Sequence, residues 1–508
     1  NRQLKPEEYL WYKRRLPDEV KPEKGSRWIL HFGAVDQCAV VYINGKKQGK
    51  HVGGYLPFSY DITEALKEEK NLLTVKVRDY SETCYYSRGK QKLKNGGMFY
   101  TAQSGIWQTV WIEKVPECYI GHLKITPLYD QSSIMIQMEE EHGIKDIDYE
   151  VTITARKMWP VKASGKTGKP CVIMIPHMRS WSPEDPFLYD LHVRMGEDSV
   201  ESYFAMRKVE VKNDKEGIPR IFLNNEPYFE KGVLDQGYWP DGLYTPPCDE
   251  AMIYDIQKMK DLGFNMIRKH IKIEPQRWYY HCDRIGMLVW QDMVNGGRDY
   301  KSWYVTYMAT AMEGMHIRAK DTRIHLMGRQ DPAGQRQFEK EMKDTVRLLY
   351  NHPSIVTWVI FNEGWGQFQT KKMTDIVRAE DPYRLTDSAR GWFDQGCGDI
   401  RSIHDYFFPL HVTPEKRVTA LTEFGGYSLQ IPKHSMYEKK VYGYKKFKRK
   451  RELTAGYEKL IKKLIIPNIS RGLSATVYTQ LSDIEEEVNG IISYDRKIVK
   501  MDEKTVKK

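Results

Sequence analysis

Beyond Gly217-Ile218-Pro219 the chain settles into one rhythm, in which helical stretches lead into short apolar runs. The runs are FEKGVLD, FNMIRKH, GMLVWQDM, SIVTWVIFNE, RLTDSA, RSIHDYF, RVTALTEF and LSATVYTQ. Between them, CDEAMIYDIQKMKDLGF sets Met252, Ile253, Ile256, Met259 and Leu262 on one helical face, and Phe338, Met342, Val346 and Leu349 repeat the pattern. About eight strand-helix units in roughly three hundred residues predict a (β/α)8 barrel over residues 209–508.

The preceding residues carry strand and turn signals. WILHFGAV, AVVYING and LLTVKVRDY are strand-length apolar or alternating runs, with Asn44-Gly45 as a hairpin turn. They predict a jelly-roll-like β-sandwich over residues 1–116, expected to lack its start because part of it lies upstream of Asn1. Residues 117–208 hold six or seven further runs, from HLKITPLY to SYFAMRKVE, at the spacing of an immunoglobulin-like β-sandwich. Three domains suit 508 residues.

Composition narrows the function classes. Apolar residues at 41% and charged residues at 29% exclude disordered and collagen-like chains. Charge-free stretches of at most about a dozen residues are too short for a membrane helix. The net charge of +11 comes mostly from residues 439–452, KKVYGYKKFKRKRE, where eight of fourteen are Lys or Arg. So local an excess predicts a solvated loop or helix face, with a substrate flap as the sharper alternative, rather than a nucleic-acid surface. Seven scattered cysteines without a C-x-x-C predict free thiols in a reducing, cytoplasmic setting, although a chain that opens on Asn1 is compatible with a removed leader.

Barrel chemistry is expected at the carboxyl ends of the strands. Glu363 closes SIVTWVIFNE and Glu423 closes RVTALTE, each followed by glycine within two residues. Two carboxylates at one barrel mouth, one protonated as acid and one ionised as nucleophile, are what glycosidic cleavage needs. Asp235, Arg268, Lys269, His270, Asp292, Asn362, Asp405 and Tyr406 stand at other strand ends. Trp239, Trp365, Trp392 and Phe407 are candidate surfaces for the C–H faces of a sugar.

VDQCAVVYINGKKQGKHVGGYLPFSYDIT, SGIWQTVWIE, YFAMRKVE, NHPSIVTWVIFNEGWG and LTEFGGYSL together resemble glycoside hydrolase family 2, the family of β-galactosidases and β-glucuronidases, from about Trp11 to Tyr494. The resemblance implies Glu363 as general acid/base, Glu423 as nucleophile, Asn362 on the sugar 2-hydroxyl and Tyr406 as a donor to the nucleophile. It implies a retaining exo-β-glycosidase; with no H-E-x-x-H, clustered Cys/His set or G-x-G-x-x-G after a strand, no cofactor and no metal among the site residues is expected.

Specificity is less well indicated. No Asn-x-Lys follows Glu423, which disfavours a glucuronidase, and Arg268-Lys269-His270-Ile271 departs from the Arg-x-Ser-His-Tyr of many β-galactosidases. The expectation is a β-galactoside-like substrate, with a uronide, mannoside or arabinopyranoside as alternatives. Asp235, His270, Trp365 and Trp392 are carried as candidate substrate-binding residues. The rival from another class is a carbohydrate-binding protein without turnover. No nucleic-acid or membrane partner is expected, and assembly as a homo-oligomer is left open.

Overall fold

The computed structural model describes residues 3–308, 319–389, 391–406, 410–439 and 441–507, apart from the side chain of Trp392. The expectations placed on Phe407, on Lys440 and on the ring of Trp392 lie outside the described residues. The chain divides into two compact units.

The first unit comprises Asn1–Tyr80, Ser104–Lys208 and Leu348–Pro353 and holds both sandwiches. In the first, the antiparallel strands Leu10–Arg15, Leu72–Arg78, Cys38–Ile43 and Lys46–Val52 form one sheet, and Val110–Pro116, Ser26–Phe32 and Phe58–Asp61 form another. Asn44 and Gly45 both have positive φ, as the predicted hairpin turn requires. In the second, Tyr189–Met195 alternates strictly, burying Tyr189, Leu191, Val193 and Met195 in the core. Burial of such a side chain contributes about 1.5–3 kcal/mol, which is why strict alternation fixes which face of the strand turns inward.

The second unit comprises Ser81–Gln103, Val209–Arg347 and Ser354–Lys508. Its eight parallel strands are β1 (Glu230–Asp235), β2 (Met266–Lys269), β3 (Leu288–Asp292), β4 (Ile355–Val359), β5 (Leu385–Asp387), β6 (Ile400–Asp405), β7 (Val418–Gly425) and β8 (Leu473–Thr479). The ladder runs β5-β4-β3-β2-β1-β8-β7-β6. At the seam between β5 and β6, Asp399 accepts from the Thr386 backbone N–H at 2.8 Å, and its own N–H reaches the Thr386 carbonyl at 2.8 Å. All eight apolar runs became strands. The helices between them bury their predicted faces, Met252, Ile256 and Met259 in Asp249–Asp261 and Phe338, Met342, Val346 and Leu349 in Pro332–Leu349. No helix among the described residues is long and apolar enough to cross a membrane.

Two details correct the sequence reading. β4 stops at Val359, so Glu363 sits four residues past the strand rather than on its last position. Glu423 lies inside β7, two residues before its end. The turn that carries Glu363 requires glycine next to it: Gly364 has φ +79°, and a Cβ there would meet the Phe393 ring at 2.6 Å. In addition Ser81–Gln103, which by sequence falls in the first sandwich, groups with the barrel.

Candidate active site

β7 and the turn after β4 bring Glu423 and Glu363 to the same place. One oxygen of each carboxylate and a ring nitrogen of His404 all lie within 4.8 Å of one another. His404, on β6, is the link between them, with Nδ1 3.1 Å from Glu363 Oε1 and 3.3 Å from Glu423 Oε2. The two glutamates have unlike surroundings: the Glu423 side chain is 7% exposed and that of Glu363 32%. Burial alone would raise the Glu423 carboxyl, but His404 and Arg268 outweigh it and hold it well below the usual carboxylate range. Tyr406 donates its hydroxyl to Glu423 Oε2 at 2.7 Å.

Arg268, at the end of β2, organises the floor. Its Nε and Nη2 form a bidentate pair with Asp292 of β3 at 2.9 and 3.1 Å. Nη2 also donates to Asn362 Oδ1 at 2.9 Å, and Nη1 to the Thr422 carbonyl at 3.1 Å and to Glu423 Oε1 at 3.4 Å. A planar fork with five donors can tie β3, β7 and the turn after β4 together at once. It also supplies fixed positive charge beside Glu423. His270 leans on the other side of Asp292, Nδ1 to Oδ2 at 2.8 Å.

Other predicted site residues are committed elsewhere. Asp235 is buried against Lys269, which also reaches Glu274 at 2.9 Å, and accepts from the Gly237 N–H at 2.8 Å. Asp235 thus belongs to a buried ion cluster with Lys269 and Glu274. Trp365 is packed between Phe99, Tyr300 and the guanidinium of Arg88, 4.9 Å from its ring, and only 6% of it is exposed; it is a wall of this region rather than an open platform. Trp239 is likewise buried, beneath Arg496.

The basic segment resolves into two kinds of residue. Tyr444 stacks on Tyr406, centroids 3.9 Å apart, and Tyr442 exchanges backbone hydrogen bonds with Glu486 and Val488. Lys445, Lys446 and Lys448 point to solvent. The aromatics therefore buttress the site, and the charges lie on the surface beside them.

Sequence reasoning missed His404, and it gave no reason to inspect Lys90, whose charge acts on Glu423 and Asp292. The signal for His404 was its position two residues before Tyr406, which puts both on one side of an extended chain. Lys90 comes from Ser81–Gln103, whose place in the barrel unit depends on distant contacts. Glu363, His404 and Glu423 are also the one His/acid cluster among the described residues tight enough to hold an ion.

Comparison with known proteins places each part of the chain. Residues 5–116 match the sugar binding domain of glycosyl hydrolases family 2, residues 118–207 a second domain of that family, and residues 248–419 its TIM barrel domain. A putative beta-glucuronidase of Formosa agariphila is 24% identical over 409 residues, 74% of this chain and 44% of that one. A beta-galactosidase of Thermoanaerobacter pseudethanolicus is 24% identical over 463 residues, 84% of this chain and 55% of that one. The chain thus spans about half the length of these curated relatives. Among solved structures, the beta-D-glucuronidase of Dictyoglomus thermophilum superposes with TM-score 0.74 at 17% identity, covering 97% of this chain and 88% of that one. A beta-galacturonidase of Eisenbergiella tayi bound to galacturonate gives 0.69 at 18% identity, covering 98% and 89%. At such identities the likeness is one of fold.

Proposed function

The chain belongs to glycoside hydrolase family 2, and from that premise we propose that it is a retaining exo-β-glycosidase with Glu423 as nucleophile and Glu363 as general acid and base. The observation that carries this reading is the close approach of the two carboxylates, whose nearest oxygens fall within 4.8 Å. Retaining enzymes set the pair about 5–5.5 Å apart, whereas an inverting pair needs about 6.5–9.5 Å to admit a water between carboxylate and sugar.

The environments fit the division of labour. Glu423, held ionised by its cationic neighbours, attacks the anomeric carbon while Glu363 gives its proton to the departing glycosidic oxygen. In the second half, Glu363 takes a proton from water, whose oxygen attacks the same carbon and frees Glu423. The Tyr406 hydroxyl and Arg268 keep Glu423 aimed in both halves. Asn362, its oxygen tied to Arg268, keeps its amide hydrogens for a sugar hydroxyl, no other acceptor taking them among the described residues. The sugar expected from the sequence is galactoside-like, while relatives bear galactosidase, glucuronidase and galacturonidase names.

The test is proton NMR of the sugar released from an aryl β-glycoside. The β-anomer should appear first and then mutarotate; first release of the α-anomer would overturn the retaining assignment.

A further inference from the structure

Two polar groups near the carboxylate pair have no partner among the described residues. The first is His270 Nε2, which is buried and unbonded. Its Nδ1 faces Asp292, and because a carboxylate only accepts, the ring hydrogen belongs on Nδ1. Burial, followed by the charge of Lys90, pushes the His270 pKa down to about 4, so the ring is neutral and Nε2 is an acceptor.

The second is the ammonium of Lys90. Its backbone is fixed: the N–H groups of Arg88 and Gly89 both donate to the Asn295 carbonyl, at 3.0 and 2.9 Å, just past β3. The Lys90 carbonyl accepts from Tyr100 at 2.8 Å, and Tyr100 in turn bonds Glu487. The Lys90 charge lies in the fields of Glu487, Glu423, Arg268 and Asp292. Each of those acids is already served, Glu423 by Tyr406 and Arg268, Asp292 by Arg268 and His270, and Glu487 by Tyr100 and Asn489. No ion pair to the ammonium forms among the described residues, and its charge acts on His270, Glu423 and Asp292 of the site floor.

We propose that Lys90 and His270 read the sugar itself: His270 accepts from a ring hydroxyl, and Lys90 binds a carboxylate on the sugar, so that the substrate is a β-linked uronic acid residue. Lys90 is half-buried, so a neutral sugar seated on it would strip water from the ammonium without compensation, whereas a carboxylate forms short, charge-assisted hydrogen bonds with it. The sequence disfavoured a uronide for want of a lysine downstream of Glu423; here the cation arrives from the other end of the chain. The inference rests on the glycosidase reading and adds the substrate class.

The test compares wild type, Lys90→Met and Lys90→Arg on 4-nitrophenyl β-glucuronide, β-galacturonide, β-glucoside and β-galactoside. Wild type should prefer a uronide. Lys90→Met should lower the uronide-to-neutral ratio of kcat/KM by about ten- to hundredfold, mostly through KM, with partial recovery in Lys90→Arg. Preference for neutral glycosides, or equal losses on both classes, would overturn the proposal and leave the glycosidase reading standing. No turnover of any of the four overturns the uronide inference, and the glycosidase reading is then decided separately on the β-mannoside and α-arabinopyranoside. A measurement independent of variant folding is inhibition of wild type by free glucuronate and galacturonate against glucose and galactose. The acids should inhibit more tightly, and equal inhibition would count against Lys90.

Discussion

The phenol of Tyr406 donates to Glu423 across 2.7 Å. Tyr406→Phe keeps the ring on Tyr444 and deletes the hydroxyl that serves Glu423 and, at 3.1 Å, Thr479 Oγ1. Hydrogen bonds to a charged group are worth about 1.5–3 kcal/mol, so kcat/KM should fall about ten- to hundredfold while the Tm barely moves. Tyr444→Ala should lower activity through the loosened Tyr406 ring, whereas Lys446→Ala should be silent. Unchanged kinetics in Tyr406→Phe would detach this residue from the chemistry.

Asp235 tests the difference between a site residue and a structural one. Removing it leaves the buried Lys269 short of a counter-charge, a change that typically costs about 3–5 kcal/mol. Asp235→Ala should therefore show a markedly lower urea midpoint with KM for an aryl glycoside unaltered. A raised KM with full stability would restore the sugar-binding role expected from sequence.

Much of this architecture was legible because buried parallel strands leave contiguous apolar runs, and because Glu363 and Glu423 follow such runs with glycine close behind. Asp235 and Trp365 were legible as polar and aromatic rim residues, but their partners, Lys269 and Arg88, could be assigned only by the fold. His404 was overlooked because a polar residue within a strand reads as outward-facing until its neighbours are known. Lys90 was out of reach altogether, since nothing local marks a turn in the first sandwich's sequence as part of the barrel.

Glu230, the first residue of β1, is buried and accepts from Trp290 Nε1 at 2.6 Å; burial raises its pKa to about 8. Its folded pKa exceeds the unfolded one, so the native state binds the proton more tightly. That stabilisation is complete below the ordinary carboxylate range and is lost as pH rises toward and through 8. Wild-type Tm should decline between pH 5 and 8.5, and Glu230→Gln should flatten the decline. Parallel Tm curves for the two proteins would show that Glu230 does not titrate in this window.

The most direct measurement on the proposed mechanism is rescue of Glu423→Gly. The variant should fold, as judged by its melting curve, and should lack turnover of an aryl β-glycoside that wild type hydrolyses. Added azide should occupy the space of the missing carboxylate and displace the aglycone in one step, giving an α-glycosyl azide. Appearance of that inverted product is the expected result; undiminished hydrolysis by Glu423→Gly without azide would contradict the assignment of Glu423 as the nucleophile.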